Sequence, residues 1–275
     1  TKMVTGWNGL AISAMTEGYR LTGRRGYLDA AEKTAQRLWK THRRAGDQLL
    51  RAQTDGEGDS KGILDDYAYF AVGLINLFEV TSDVTYLKQG IALVKTADER
   101  FGREEGGWYQ TEVGDKSLLF RHFELYDSVR PSGNAMMLEA HLRLSALRGD
   151  EAHQLLIDKT LGAYTLSLSQ SGLGVAGWTR VALRAQGPFY EVVIAGEERT
   201  ELERVWREVN PTWALRVDLP KSGAPRALAS IAPTLSSKSE RVGRATAYVC
   251  LKGVCKAPTA EPEVFKRQLL EGWLR

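Results

Sequence analysis

Three stretches of this chain carry the same order of apolar residues, polar break and apolar residues, and that repetition restricts the fold to stacked helical hairpins. From Trp7 to Leu21, apolar residues recur at helical spacing through Leu10, Ala11, Ala14, Met15 and Tyr19. Thr22-Gly23-Arg24-Arg25-Gly26 then breaks the pattern, and a second helix follows from Tyr27 to about Lys40. Tyr67 to Val80 repeats the first helix, Thr81-Ser82-Asp83 the break, and Tyr86 to about Arg100 the second helix. Thr22 returns as Thr81, Tyr27 as Tyr86 and Leu28 as Leu87, all at an offset of 59 residues. A third copy runs from Asn134 through Leu138, Leu142 and Leu147, breaks at Arg148-Gly149-Asp150, and resumes through Leu155, Leu156, Leu161 and Tyr164. Matching Asp83 to Asp150 sets its offset at 67. A weaker fourth start lies near Leu173 to Leu183. Hairpins of this length cannot bury their apolar faces singly, so they stack as an open solenoid or a closed ring.

Turns inside the hairpins are short, whereas the links around Arg43 to Leu64 and Gly102 to Pro131 are long and fall on one end of the stack. Connectors of that length in a compact domain are usually functional or disordered. Trp108-Tyr109-Gln110-Thr111, Gly114-Asp115 and Ser117-Leu118-Leu119-Phe120 read as a β-hairpin, which would wall the first-helix N-termini. Beyond Gln186 the pattern changes. Glu191 to Gly196, Thr212 to Leu219 and Ala245 to Leu251 read as strands, Thr200 to Val209 and Glu263 to Leu270 as helices. The expected organisation is mainly α, with hairpins over residues 1–186 and a small α/β subdomain over 187–275.

At 275 residues and 43% hydrophobic content, the chain can bury a sizeable core. A net charge of +3 gives no broad field for a polyanion, so nucleic acid is not an expected partner. No apolar run approaches the ~20 residues of a membrane-spanning helix, and Thr1-Lys2-Met3-Val4 has no signal-like segment. A soluble, cytoplasmic protein is the simple expectation, with sequence missing upstream of Thr1. Two cysteines, Cys250 and Cys255, exclude a disulfide framework; their spacing is neither a zinc set nor a Cys-x-x-Cys motif, and leaves either reduced or mutually bridged thiols.

The repeat offsets put Trp7, Asp66 and Gly133 at one equivalent position and Asn8, Tyr67 and Asn134 at the next. Tyr126-Asp127 and Pro131-Ser132-Gly133-Asn134 lie just ahead of the third copy. Asp65 and Ser132 suit helix caps, and Asp66 gains from the helix dipole. Trp7, Asn8, Tyr67 and Asn134 do not make a capping set, although aromatics near helix starts also serve as core. Rings beside carboxylates and amides suit a sugar, so Trp7, Asn8, Asp65, Tyr67, Tyr126, Ser132 and Asn134 are candidate binding residues. Two acids across a bond would be needed for glycosidic chemistry, and Asp66 with Asp127 or Glu124 are the candidates. His122, in the long connector, is either a base for epimerisation or a solvated side chain. His141 and His153 fall inside helices and His42 at a helix end, so no metal is expected. No cofactor motif occurs.

Val4-Thr5-Gly6-Trp7-Asn8-Gly9-Leu10, Leu64-Asp65-Asp66-Tyr67-Ala68, the two motifs before the third copy, Glu191 to Gly196, and Ala247-Tyr248-Val249-Cys250 with Cys255 together resemble the thioredoxin-domain-containing family similar to spermatogenesis-associated protein 20. The resemblance spans nearly the whole chain. It implies a six-hairpin (α/α)6 toroid like those of glycosidases and N-acyl-glucosamine 2-epimerases, present here only in part, and a preceding thioredoxin-like domain that this chain lacks. A saccharide ligand, with hydrolysis or epimerisation at the mouth, is the leading expectation. The rival is a non-catalytic scaffold or partner-binding module that works with the thioredoxin-like domain in redox homeostasis. Fold analogy alone does not decide between them.

Overall fold

The computed structural model describes residues 2–58, 60–114 and 118–271. In chain order its elements are β1 (Lys2–Val4), α1 (Thr5–Thr22), α2 (Arg25–Thr41), β2 (Ala52–Thr54), α3 (Leu64–Thr81), α4 (Val84–Phe101), α5 (Gly133–Arg148), α6 (Glu151–Ser171), α7 (Ala176–Gln186), β3 (Tyr190–Ala195), α8 (Thr200–Val209), β4 (Ala214–Leu219), α9 (Arg226–Ala229), β5 (Thr246–Leu251), β6 (Val254–Cys255) and α10 (Pro262–Leu270). The three hairpins are therefore α1–α2, α3–α4 and α5–α6, with α7 packed beside α5.

The repeat register is visible in how the first helices stop. Gly23, Ser82 and Gly149 each follow such a helix in the left-handed conformation, at φ of 70°, 56° and 66°. Each donates its N–H back to a carbonyl four residues earlier, closing the helix end. Those three positions are spaced by the same 59 and 67 residues as the sequence repeat.

First helices are neighbours, with α3 between α1 and α5. α3 buries every residue except Asn76 and Thr81, because α1, α5, its own partner α4 and strand β4 enclose it. α1 buries only the stripe Thr5, Gly6, Gly9, Ile12, Thr16 and Arg20, leaving Trp7, Ala11, Ala14, Met15 and Leu21 exposed. The α1–α3 crossing is unusually close: a Cβ on Gly9 would lie 2.6 Å from Phe70 N and Tyr69 C, and one on Gly73 would lie 2.9 Å from Gly9 O.

Deep among these helices runs a belt of charge. Arg20 of α1 donates to Glu79 of α3 at 2.9 Å, and Arg143 of α5 bonds the other oxygen of Glu79. Arg143 also donates to Glu139 at 2.7 Å, which accepts from Arg184 of α7 at 2.5 Å. Glu79 is wholly buried and Glu139 nearly so. The flanking guanidinium groups hold the Glu139 carboxyl far below the usual carboxylate range, against the pull of burial.

The C-terminal part forms a four-stranded sheet in the order β4-β3-β5-β6, with β3 and β4 parallel and the remaining pairs antiparallel. Alternation sorts its faces. Val193, Ala195, Leu215, Val217, Leu219, Tyr248 and Cys250 join the helical core, while Tyr190, Val192, Ile194, Ala247 and Val249 pack with Leu202, Val205 and Trp206 of α8 and Phe265 and Leu269 of α10. Cys250 and Cys255 are bridged.

The β-hairpin expected after Trp108 is a correction. Among the described residues no strand forms there, and Asp115 and Ser117 lie outside them. The segment spends its backbone elsewhere: Tyr109 N bonds Phe101 O, Gln110 N bonds His122 O, and Gln110 O accepts from Leu64 N. Leu119 and Phe120 are left exposed. Among the described residues no helix is long and apolar enough to cross a membrane.

Candidate functional site

The N-terminal ends of α1, α3, α5 and α7 lie at one end of the helical stack, tied to one another by carboxylates. Asp66 is the third residue of α3, and its Oδ2 accepts from Ile63 N at 2.9 Å, the position that caps the helix. Its Oδ1 reaches out of the helix to accept from Gly6 N of α1 at 2.8 Å. Glycine suits that close approach, since a Cβ on Gly6 would sit 3.0 Å from that oxygen and 3.1 Å from Tyr69 Cδ2. Arg51 approaches Oδ2 at 3.5 Å. Burial lifts the Asp66 carboxyl to about 6, although the two amides and Arg51 pull it down.

Asp127 repeats the device one helix further on. Its Oδ1 accepts from Ser132 N at 2.7 Å, just before α5, and its Oδ2 from Gly177 N of α7 at 2.6 Å. Asp65 makes a third tie, accepting from Gln110 Nε2 at 3.1 Å and Arg130 Nη1 at 3.2 Å. It also packs against Gly133, where a Cβ would fall 2.6 Å from Oδ1. Asp65 is inside α3 and caps nothing; Ile63 holds the cap position. Ser132 is the cap of α5, accepting from Ala135 N at 3.2 Å, and also accepts from Trp178 Nε1 at 3.0 Å.

The remaining sequence candidates divide by burial. Asn134 is fully buried, accepting from Trp108 N at 2.8 Å and donating to Trp108 O and Glu124 O, each at 3.0 Å. Tyr67 is buried too, its hydroxyl accepting from Leu49 N at 2.9 Å. Asn8 donates to Val4 O at 2.7 Å within its own helix start. Trp7 is 60% exposed and Tyr126 55% exposed. His122 is exposed, with Nε2 at 3.3 Å from Oε2 of half-buried Glu124. The motifs thus meet at one end, but Asp65, Asp66, Asp127, Ser132 and Asn134 are engaged in joining helices and loops. Trp7, Tyr126, His122 and Glu124 are what the mouth offers to solvent.

Beside Trp7 lies an open cavity of about 360 Å3, lined by Trp7, Arg51, Thr54, Glu57 and Ser60. Arg51, which sequence reading did not single out, links that cavity to Asp66. Its only signal was its place in the long connector on the same end.

A second cluster also escaped sequence reading. His141 Nδ1 lies 2.8 Å from His153 Nδ1, and His141 Nε2 lies 3.2 Å from Asp98 Oδ1, which also accepts from Trp108 Nε1 at 2.9 Å. The two histidines are each on a helix, and only the packing of α5 on α6 shows that they meet. Burial, then the nearby His141 charge and Arg148, hold His153 down to about 4, against the pull of Asp150 and Asp98. Between the ordinary 6.5 and about 4 the unfolded chain takes a proton that the folded chain refuses, so this residue's contribution to stability falls as pH drops. Asp66, raised from 3.8 to about 6, has the opposite sign and favours the folded state as pH falls. We expect urea midpoints at pH 7 and pH 5 to show a larger loss for the wild type than for His153→Gln. Equal losses would exclude the histidine pair as the source. Among the described residues no three His, Cys, Asp or Glu side chains are placed to hold a metal ion.

No protein-family model matches the chain. Human spermatogenesis-associated protein 20 is 26% identical over 285 residues, which is 95% of this chain. The Mus musculus protein of that name is 26% identical over 287 residues. This chain is related to spermatogenesis-associated protein 20. It spans 35% of the length of these relatives. Among solved structures, a family 76 glycoside hydrolase (mannosidase) from Bacteroides thetaiotaomicron matches with a TM-score of 0.52 and 13% identity, over 100% of this chain and 73% of that one. The fold is a partial six-hairpin glycosidase-like toroid carrying a small sheet.

Proposed function

We propose that the mouth binds a carbohydrate or similar polyhydroxylated compound, with Trp7 and Arg51 as the principal contacts. The observation that carries this reading is an exposed indole at the head of a helix that Asp66 holds to its neighbour, beside a cavity with a guanidinium, two hydroxyls and a carboxylate. Such a surface offers a flat apolar face to a sugar ring and polar groups to its hydroxyls. Tyr126 adds a second exposed ring on the α5 side. The solved mannosidase with this fold adds to the reading by analogy.

Any proton transfer at this mouth falls to Glu124 with His122. Asp66 and Asp127 each have both carboxylate oxygens occupied by backbone amides, so neither turns a free oxygen toward a ligand. They position the site.

Calorimetric titration of the chain with mono- and oligosaccharides tests the proposal. Trp7→Ala is expected to weaken binding at least tenfold, about 1.4 kcal/mol, with an unchanged melting temperature. Unchanged affinity in that variant, or no saccharide that stabilises the folded chain, would reject it. Glu124→Gln should retain binding and lose any turnover.

A partner-binding role has one observation in its favour, the uncovered apolar face of α1 formed by Trp7, Ala11, Ala14, Met15 and Leu21. On that reading, Met15→Ser and Leu21→Ser would weaken association with a separately supplied thioredoxin-like domain and leave saccharide titrations unaltered.

A further inference from the structure

We propose that the Cys250–Cys255 disulfide is a thiol–disulfide exchange site, reduced by a dithiol while the protein stays folded. The bond joins directly opposed residues of β5 and β6, five positions apart. Leu251 and Val254 form the next pair, and the turn between them is Lys252-Gly253, at φ of 49° and 80°. Positive φ at both turn positions is the geometry that suits the twist of a two-residue hairpin. Backbone pairing therefore already brings the two cysteines together, and the covalent link closes only a very short loop. Loop-closure entropy gives such a crosslink little leverage over the unfolded chain.

Access is one-sided. Cys255 is exposed on β6, a two-residue strand at the end of the sheet, whereas Cys250 is 1% exposed and belongs to the helical core cluster. An incoming thiolate thus meets Cys255 Sγ. The turn linking the cysteines carries exposed Lys252, and a cation close in sequence to a thiol favours its thiolate.

In the first step the donor thiolate bonds to Cys255 Sγ, the disulfide breaks, and its electron pair leaves on Cys250 Sγ, which takes a proton. In the second, the donor's other thiolate attacks its partner sulfur in the mixed disulfide and releases Cys255, which is protonated in turn. Two electrons and two protons pass from dithiol to protein, and the donor becomes a disulfide. The product suits its surroundings, since a neutral Cys250 thiol behaves as a small buried hydrophobe and Cys255 is solvated.

The test uses the intact chain without denaturant, treated with dithiothreitol, alkylated with a maleimide and weighed. Cys255 should be labelled in the folded chain and buried Cys250 only once urea is added after reduction, with the far-ultraviolet circular dichroism of the reduced chain unchanged and its melting temperature lowered by less than about 3 °C; reoxidation should restore the bond. A bond that resists dithiothreitol until urea unfolds the chain, or reduction that melts the sheet, would overturn the proposal. Direction of attack is read with oxidised glutathione on single variants. Cys250→Ser should form a mixed disulfide at Cys255 in the native state, and Cys255→Ser should form none at Cys250. The reverse pattern would refute attack at Cys255.

Discussion

Replacing Glu139 by glutamine is expected to cost about 3–5 kcal/mol of stability, read as a fall in the urea midpoint at constant slope. The carboxylate is nearly without solvent and faces Arg143, Arg184 and, at 3.9 Å, Arg180. Removing its charge leaves the Arg184 guanidinium, itself little exposed, without an ion-pair partner among the described residues, and Arg143 with Glu79. An unpaired buried charge is what makes such a deletion expensive; the intact pair need not be strongly stabilising. The double change Glu139→Leu with Arg184→Leu should therefore recover most of the loss. If the single and double variants are equally unstable, packing rather than charge dominates the belt. The belt joins α1, α3, α5 and α7 toward their C-terminal ends, whereas Asp66 and Asp127 join their N-terminal ends. The first helices are thus held at both ends, which fixes the platform that presents Trp7.

Much of this architecture was legible in the residues. Helical spacing and the offsets of 59 and 67 define the hairpins, and the left-handed stops at Gly23, Ser82 and Gly149 reproduce them. The belt had a signal of its own: Arg20 and Glu79 stand at the 59-residue offset, opposite charges at equivalent positions of α1 and α3. At the mouth, the convergence of Asp65, Asp66, Asp127 and Asn134 could be foreseen, but not which groups would occupy them. Gly6 donates across 60 positions to Asp66 and Gly177 across 50 to Asp127, and those contacts depend on how close two helices come. Such distances are set by packing and have no local signature. The Trp108 segment failed for a related reason: its strand-like residues and turn dipeptide were sound local cues, but Asn134, Phe101 and His122 claimed its backbone groups.

Gly9→Ala is expected to destabilise the chain by about 2–4 kcal/mol, reversing the sign that helix propensity alone predicts. In a helix interior, alanine is better than glycine by about 1 kcal/mol, and Gly9 lies in the second turn of α1. Its Cβ, however, would stand 2.6 Å from Phe70 N and Tyr69 C, both backbone atoms of buried residues of α3. Backbone cannot swing aside as a side chain can, so the two helices must separate. Separation would pull Gly6 from Asp66 and open the contact between Gly73 and Gly9, so the overpacking cost exceeds the propensity gain. Gly26→Ala provides the internal control: it lies in the first turn of α2, with nothing within 4 Å of an added Cβ, and should be neutral or gain up to about 1 kcal/mol. If both alanines stabilise, the close α1–α3 crossing is absent in solution. If Gly9→Ala alone destabilises and also weakens saccharide binding, the paired glycines of Gly6-Trp7-Asn8-Gly9 act together, seating the helix on α3 so that Trp7 is held at the mouth.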